Sequence, residues 1–349
     1  MRTTIGVLAA LMLTAVLSSV FLSRPAFDES LDENVFDGLS IAPLDQALTL
    51  ARTLSGKVVL VTEASTDGIL AVEVVSASGQ PYVDARDAYK QLGLVGLQQL
   101  YQSSDLQSLR WSELSTPIAE NYPHIAAGTN YRSHAEEVGL DGEPFLFPKL
   151  SHASVWNAPV VDIGRLDYEV ELCAALLTPH SKNEPAALGY ILCGDFTDRW
   201  TMVKDMDLGG VMGRTGFPTG KGGDSRLPIG SLLVIPYSDD FYKSIELSLY
   251  VNEALRQQTG ADKMVWSPQE LLARALADCQ SPYQNGPAIV YITDCQSIPA
   301  GTLILTGTPA GVMFHIATLW SPWAYLQEGD VVTSFGTYLG LLRNEIVDE

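Results

Sequence analysis

The chain has 349 residues, with 21 Lys and Arg against 41 Asp and Glu, a formal net charge of −20. A field of that sign repels a phosphate backbone, and no local basic stripe offsets it, so a nucleic-acid partner is excluded. The apolar share of 46%, with 29 Gly and 19 Pro scattered along a chain that lacks repeats, describes a globular protein with one large domain and a smaller one beside it.

Residues 5–22 (IGVLAALMLTAVLSSVFL) are uncharged and bracketed by Arg2 and Arg24. As a helix they span roughly 27 Å, enough for a thin hydrocarbon core. The run exceeds the apolar part of most cleaved signals, and SSVFLSRPA offers no small-x-small site. Residues 1–25 are therefore expected to be a membrane anchor, with a cleaved signal as the alternative. No basic residue follows Arg24 until Arg52, which places the remainder outside the cytoplasm, in a periplasmic or other extracytoplasmic position.

Residues 26–118 read as an acidic linker and a small α/β domain that serves packing or acts as a lid. Within it, 43–54 (PLDQALTLARTL) is predicted to be helical from its three- and four-residue apolar spacing. Residues 57–62 and 69–76 are predicted strands, and 84–101 a helix. From residue 119 to 349 the texture changes to short β-type runs divided by Gly, Pro and Asp: YEVELCAALL, LGYILCGDF, GSLLVIPY, IELSLYVN, GTLILTG and DVVTSFGTYLGLLRNEI. The fold class is α+β, with a β-rich domain of mixed sheets and long connections over 119–349. Residues 268–277 form a helix with Pro in its first turn, and 281–293 an inserted loop and strand. The four cysteines lack zinc spacing. They are expected to be buried thiols, with closure of a Cys279–Cys295 loop as the alternative.

The stretch DYEVELCAALL carries the strongest chemical signal. In a strand, Glu169 and Glu171 face the same way, and so do Cys173 and Glu171. Asp195 ends another apolar strand, two residues after Cys193. Paired carboxylates repel unless a cation lies between them, and three carboxylates without a central histidine suit a hard ion, Mg2+ or Mn2+. In GTNYRSHAEEVG, a helix starting near Ser133 puts His134 and Glu137 at i and i+3, the arrangement of a general base with its orienting carboxylate. Lys221, among the glycines of TGKGGDSRLPIG, and Thr308, in LTGTPAGV, are candidates for holding an anionic ligand.

Taken in order, NYRSHAEE, DYEVEL, GDFTDR, TGKGGD with PIG, LTGTPAGV, EGDVV and LGLLRNEI resemble the fumarylacetoacetate hydrolase family over roughly residues 125–346. The resemblance implies rolled mixed sheets, a homodimer, a bound Mg2+, Mn2+ or Ca2+ ion and a small 2-keto acid substrate. It assigns Glu169, Glu171 and Asp195 to the metal, His134 and Glu137 to water activation, and Arg199, Lys221 and Thr308 to substrate. Trp200 after the arginine, Gly222 and Gly223 after the lysine, and Leu150 after Lys149 depart from the family pattern and bear on the substrate pocket. The expected activity is metal-dependent hydrolysis of a C–C bond in an acylpyruvate-like 1,3-diketo acid. The alternatives are a decarboxylase, hydratase or isomerase on the same metal site, or an anchored binding protein without turnover.

Overall fold

The computed structural model describes residues 39–101, 105–182 and 184–348. The chain opens with β1 (Ala47–Thr53), β2 (Val58–Ala64) and β3 (Gly68–Glu73), then helix α1 (Ala85–Leu100) and β4 (Leu106–Arg110). Next come β5 (His124–Gly128), helix α2 (Arg132–Glu137), β6 (Phe145–Lys149), β7 (Val170–Leu176) and β8 (Leu188–Gly194). Helices α3 (Arg199–Asp205) and α4 (Phe217–Gly220) precede β9 (Leu232–Pro236), β10 (Glu246–Val251) and β11 (Ala254–Gly260). Helix α5 (Pro268–Ala277), β12 (Leu303–Leu305), β13 (Val331–Gly336) and β14 (Gly340–Val347) complete it.

The large sheet runs β4-β3-β2-β1-β9-β8-β7-β12-β5-β6. Its pairings along this path are antiparallel except β12 with β5, where Ile304 faces Ile125 in parallel register. A second sheet, β11-β10-β13-β14, is extended by the short strand Val160–Val161 running parallel to β14. The main apolar core lies between the two, with Leu172, Ala174 and Leu192 from the first and Leu247, Leu249, Val332 and Leu342 from the second. The strands of β7 and β8 are buried along their whole length, which is why they read as continuous apolar runs rather than alternating ones.

Residues 43–54 are not a helix. Their centre is β1, held between β2 (Thr49 opposite Val61) and β9 (Ala47 opposite Pro236). Both faces of β1 are covered, so its apolar residues are nearly continuous, and Ala and Leu alone cannot distinguish a buried strand from a helix turned toward a core. The same pairing makes the strands of 47–115 continuous with the sheet that carries β7 and β8. The predicted helix at 84–101 forms as α1, capped by the Asp84 carboxylate on the Asp87 N–H and kinked at Gly93. Helix α5 has the predicted bounds because Ser267 and Glu270 close a capping box: Glu270 accepts from the Ser267 N–H at 2.8 Å while the Ser267 hydroxyl accepts from the Glu270 N–H. Residues 283–285 and 288–290 form a small hairpin.

The expectation of an N-terminal membrane helix and an extracytoplasmic location is withdrawn. Among the described residues, no helix is long and apolar enough to cross a membrane. Residues 1–25, on which that expectation rested, lie outside the described residues.

Candidate active site

Strands β7 and β8 pair with Val170 opposite Gly194 and Glu171 opposite Cys193. The pairing continues one step further, because the Asp195 N–H donates to the Glu169 carbonyl at 2.9 Å. Directly opposed residues of an antiparallel pair project to the same side. Glu169, Glu171 and Asp195 therefore converge at one end of the hairpin, all buried, with carboxylate oxygens within 4.8 Å of one another.

Three cations meet this cluster. Lys221 Nζ donates to Glu169 Oε2 at 2.6 Å and Asp195 Oδ2 at 2.7 Å. Arg199 donates from Nη2 to Glu169 Oε1 at 2.6 Å and from Nε to Asp167 Oδ2 at 2.7 Å. Lys149 Nζ donates to Asp195 Oδ1 at 2.6 Å and to the Lys221 and Arg226 carbonyls at 2.5 and 3.0 Å. Burial by itself raises the Glu169 carboxyl, but Lys221 and Arg199 outweigh it and hold Glu169 below the usual range. Glu171 makes no ion pair among the described residues; its recorded donor is the Gly307 N–H at 2.6 Å. Burial, then Asp195 and Glu169, push its carboxyl well above the usual value. Four buried carboxylates, counting Asp167, thus face three buried cations. The surplus negative charge, all-oxygen donors and short mutual distances fit a hard divalent cation held by Glu169, Glu171 and Asp195.

On α2, His134 Nδ1 lies 3.3 Å from Glu137 Oε2. The Gly311 N–H reaches Glu137 Oε1 at 2.9 Å. One turn, 305–312, therefore supplies an N–H to Glu171 through Gly307 and another to Glu137 through Gly311. Gly307 has φ +96°, and a Cβ there would come within 2.9 Å of Asn130 Cβ, so this close approach requires glycine. Thr308 also lines the cavity, but its hydroxyl is engaged, donating to the Val170 carbonyl at 3.0 Å and accepting from Gln257 Nε2 at 2.9 Å. The glycine loop bearing Lys221 lies beside the end of β8, with Gly194, Phe196 and Gly230 joining the two segments by backbone hydrogen bonds. Gly222 packs against Pro218 and Leu150, where a Cβ would meet the Pro218 carbonyl at 2.6 Å. A cavity of about 350 Å³ is lined by His134, Glu169, Arg199, Lys221 and Thr308 at its polar end.

Sequence reasoning missed three contributors. Asp167 fixes Arg199 while accepting N–H groups from Tyr168, Met313 and Phe314. Lys149 is fully buried against Asp195. Gln257 ties Thr308 and Pro309 to the Val170 N–H. An acid at the start of DYEVEL was visible, but its partner lies 32 residues away. The thiol expectation is also corrected. All four cysteines are paired, Cys173 with Cys193 and Cys279 with Cys295. The first pair bridges β7 and β8 diagonally on the carboxylate face, since Cys173 and Cys193 share that face with Glu171 and Asp195. The second closes the segment carrying the 283–290 hairpin.

The profile described as Fumarylacetoacetate (FAA) hydrolase C-terminal matches residues 123–347, well over half of the sequence. The chain belongs to the fumarylacetoacetate hydrolase family. It is 27% identical over 258 residues to the oxaloacetate tautomerase YisK of Bacillus subtilis, an alignment covering 70% of this chain and 76% of that protein. It is 30% identical over 256 residues to the 2,4-didehydro-3-deoxy-L-rhamnonate hydrolase of Sphingomonas sp. (strain SKA58), covering 66% and 79%. The maleylpyruvate hydrolase structure from Sphingobium sp. SYK-6 shares the fold, with a TM-score of 0.57 at 21% identity, covering 86% of this chain and 100% of that one. Members of the family are enzymes, and those named here include hydrolases and a tautomerase.

Proposed function

We propose that this chain hydrolyses the C–C bond between the acyl and pyruvoyl parts of an acylpyruvate-like 1,3-diketo acid. The observation that carries this reading is the His134–Glu137 pair at the wall of the cavity that also contains Glu169, Arg199 and Lys221. A divalent cation held by Glu169, Glu171 and Asp195 would supply Lewis-acid polarisation of the 2-keto carboxylate end of the substrate.

The remaining chemistry belongs to side chains of this chain. Glu137 accepts from His134 Nδ1, which selects the tautomer whose Nε2 is the base. Among the described residues Nε2 makes no hydrogen bond, so it is available to take a proton from water. The hydroxide attacks the distal carbonyl, the C–C bond breaks, and the products are a carboxylic acid and the enolate of pyruvate. The proton on His134 then returns to the carbon that carried the broken bond. Arg199 and Lys221, anchored by Asp167, Glu169 and Asp195, hold the substrate's oxygens and spread the developing negative charge.

Keto–enol tautomerisation is the second reading, favoured by the similarity to YisK. It needs His134 only to move a proton and breaks no C–C bond. A product assay on acylpyruvates and oxaloacetate, in the presence of Mg2+ or Mn2+, separates the two. Release of pyruvate and a free acid is expected, and His134→Gln should lower that rate roughly 10²–10⁴-fold, the range for a positioned base. Interconversion of enol and keto forms without fragmentation would replace the hydrolase reading by the tautomerase.

A further inference from the structure

The active-site cavity is polar at one end only. Beyond His134, Glu169, Arg199 and Lys221, its walls come from Met202, Met206, Met212, Phe145, Phe217 and Phe314. Among the described residues, Arg199 and Lys221 are the only lysine or arginine in its lining, and both stand at the polar end, bonded to Asp167, Glu169 and Asp195. The cavity reaches solvent past Leu208 and Ile316, which line it and are nonetheless 87% and 81% exposed. Leu319 lines it too, and the next residue, Trp320, is 71% exposed and in edge contact with Trp200.

Each half of this arrangement selects on chemistry. A second carboxylate at the far end of a substrate would be desolvated among methionine and phenylalanine side chains with no cation to pair it, which is costly. A hydrocarbon there removes apolar surface from water on both sides. Methionine side chains are unbranched and adaptable, so they accommodate alkyl and ring-bearing tails alike. We infer that the distal subsite takes the hydrocarbon tail of a monocarboxylic 2-keto acid and discriminates against substrates with a second carboxylate at that end. The aliphatic rim of Leu208 and Ile316 carries tails too long for the 350 Å³ cavity out to the surface. This deepens the reading above and rests on its placement of the 2-keto carboxylate at the polar end.

The test is binding, measured by calorimetry on the full chain with Mg2+ present, using pyruvate, 2-oxohexanoate, 2-oxodecanoate and the dicarboxylate 2-oxoadipate. Affinity should rise on the order of fourfold per methylene from pyruvate until the tail leaves the cavity. 2-Oxoadipate should bind at least about tenfold more weakly than 2-oxohexanoate, the monocarboxylate of equal carbon number. The double variant Leu208→Lys with Ile316→Lys, at exposed positions, should narrow or invert that preference. Affinity independent of chain length, or wild-type binding of 2-oxoadipate as tight as 2-oxohexanoate, would overturn the inference. Turnover of acetylpyruvate and decanoylpyruvate reports separately. A length trend in binding with no C–C cleavage removes the hydrolase reading and keeps the subsite, whereas cleavage without a length trend does the reverse.

Discussion

Lys149 Nζ lies 2.6 Å from Asp195 Oδ1 with both residues fully buried, and its other two protons are directed to the Lys221 and Arg226 carbonyls. An ammonium has three donors, and here all three are matched. Burial, and then the neighbouring Lys221, lower its pKa, while Asp195 acts against them. The pair fixes Asp195 and, through the carbonyl of Lys221, the loop that presents the second lysine. Lys149→Met takes one donor each from the Lys221 and Arg226 carbonyls, which keep only the Ser151 hydroxyl and the Phe196 N–H, and leaves Asp195 with one cation instead of two. A loss of about 3–5 kcal/mol of stability is expected, the usual cost of breaking a buried pair. Lys149→Arg should not restore it, because a planar guanidinium cannot point three donors outward from one atom. Urea unfolding of both variants checks this, and wild-type stability in either would refute it.

Glu171 behaves in the opposite way. Among the described residues it makes no ion pair, and it repels Asp195 and Glu169, so Glu171→Gln relieves a strain on the metal-free protein. Its stability should equal or exceed that of the wild type, while affinity for Mg2+ or Mn2+ falls by orders of magnitude. Thermal unfolding and calorimetric metal titration read the two separately. Unchanged metal affinity would remove Glu171 from the proposed ligand set.

Glu120 couples acid stability to the start of the family-matched segment at residue 123. Its Oε2 receives His124 Nε2 at 2.9 Å and the Ala153 N–H at 2.7 Å, and its Oε1 lies 2.7 Å from His152 Nδ1. Burial works to raise Glu120, but hydrogen bonds from His124, Ala153 and His152 outweigh it and hold it at about 2, below the ordinary 4.5. A depressed carboxylate contributes stability that is complete above the ordinary pKa and is lost as pH falls through the folded one. Glu120→Gln should therefore be less stable than wild type at pH 7, and the gap should shrink between pH 4.5 and about 2. With solvent screening of a partly exposed group, the gap is of the order of 1 kcal/mol. Denaturant midpoints across pH measure it, and a gap that is constant with pH would contradict the assignment.

The two disulfides close loops of 20 and 16 residues. In the chain-entropy account each contributes about 3 kcal/mol. Replacing Cys279 and Cys295 together by Ala should lower stability by about that amount with metal affinity unaffected. Replacing Cys173 and Cys193 should lower both, because that link holds β7 and β8 together directly behind Glu171 and Asp195. Denaturant midpoints and metal titration give the comparison. Four titratable thiols in the denatured, unreduced protein would disprove both bridges.

Some of this was already written in the order of the residues. Glu169 and Glu171 share a face because strand side chains alternate, and His134 and Glu137 meet because a helix brings i and i+3 together; both are consequences of local geometry. The bounds of α5 followed from Ser267, Pro268 and Glu270 for the same reason. Contacts between distant segments are a different matter. That 47–53 is a strand depended on β9 lying beside it, nearly two hundred residues later, and an apolar run carries no mark of which partner will cover it. The neighbours of Asp195, namely Lys149 and Lys221, come from 46 residues before and 26 after, and the N–H groups on Glu171 and Glu137 come from one turn at 305–312. Cys173 and Cys193 are joined because the antiparallel register sets them one diagonal step apart. Which charges are neutralised, which carboxylate is left without a cation, and which end of the cavity is apolar are properties of burial and proximity, and these arise only once the sheets are packed.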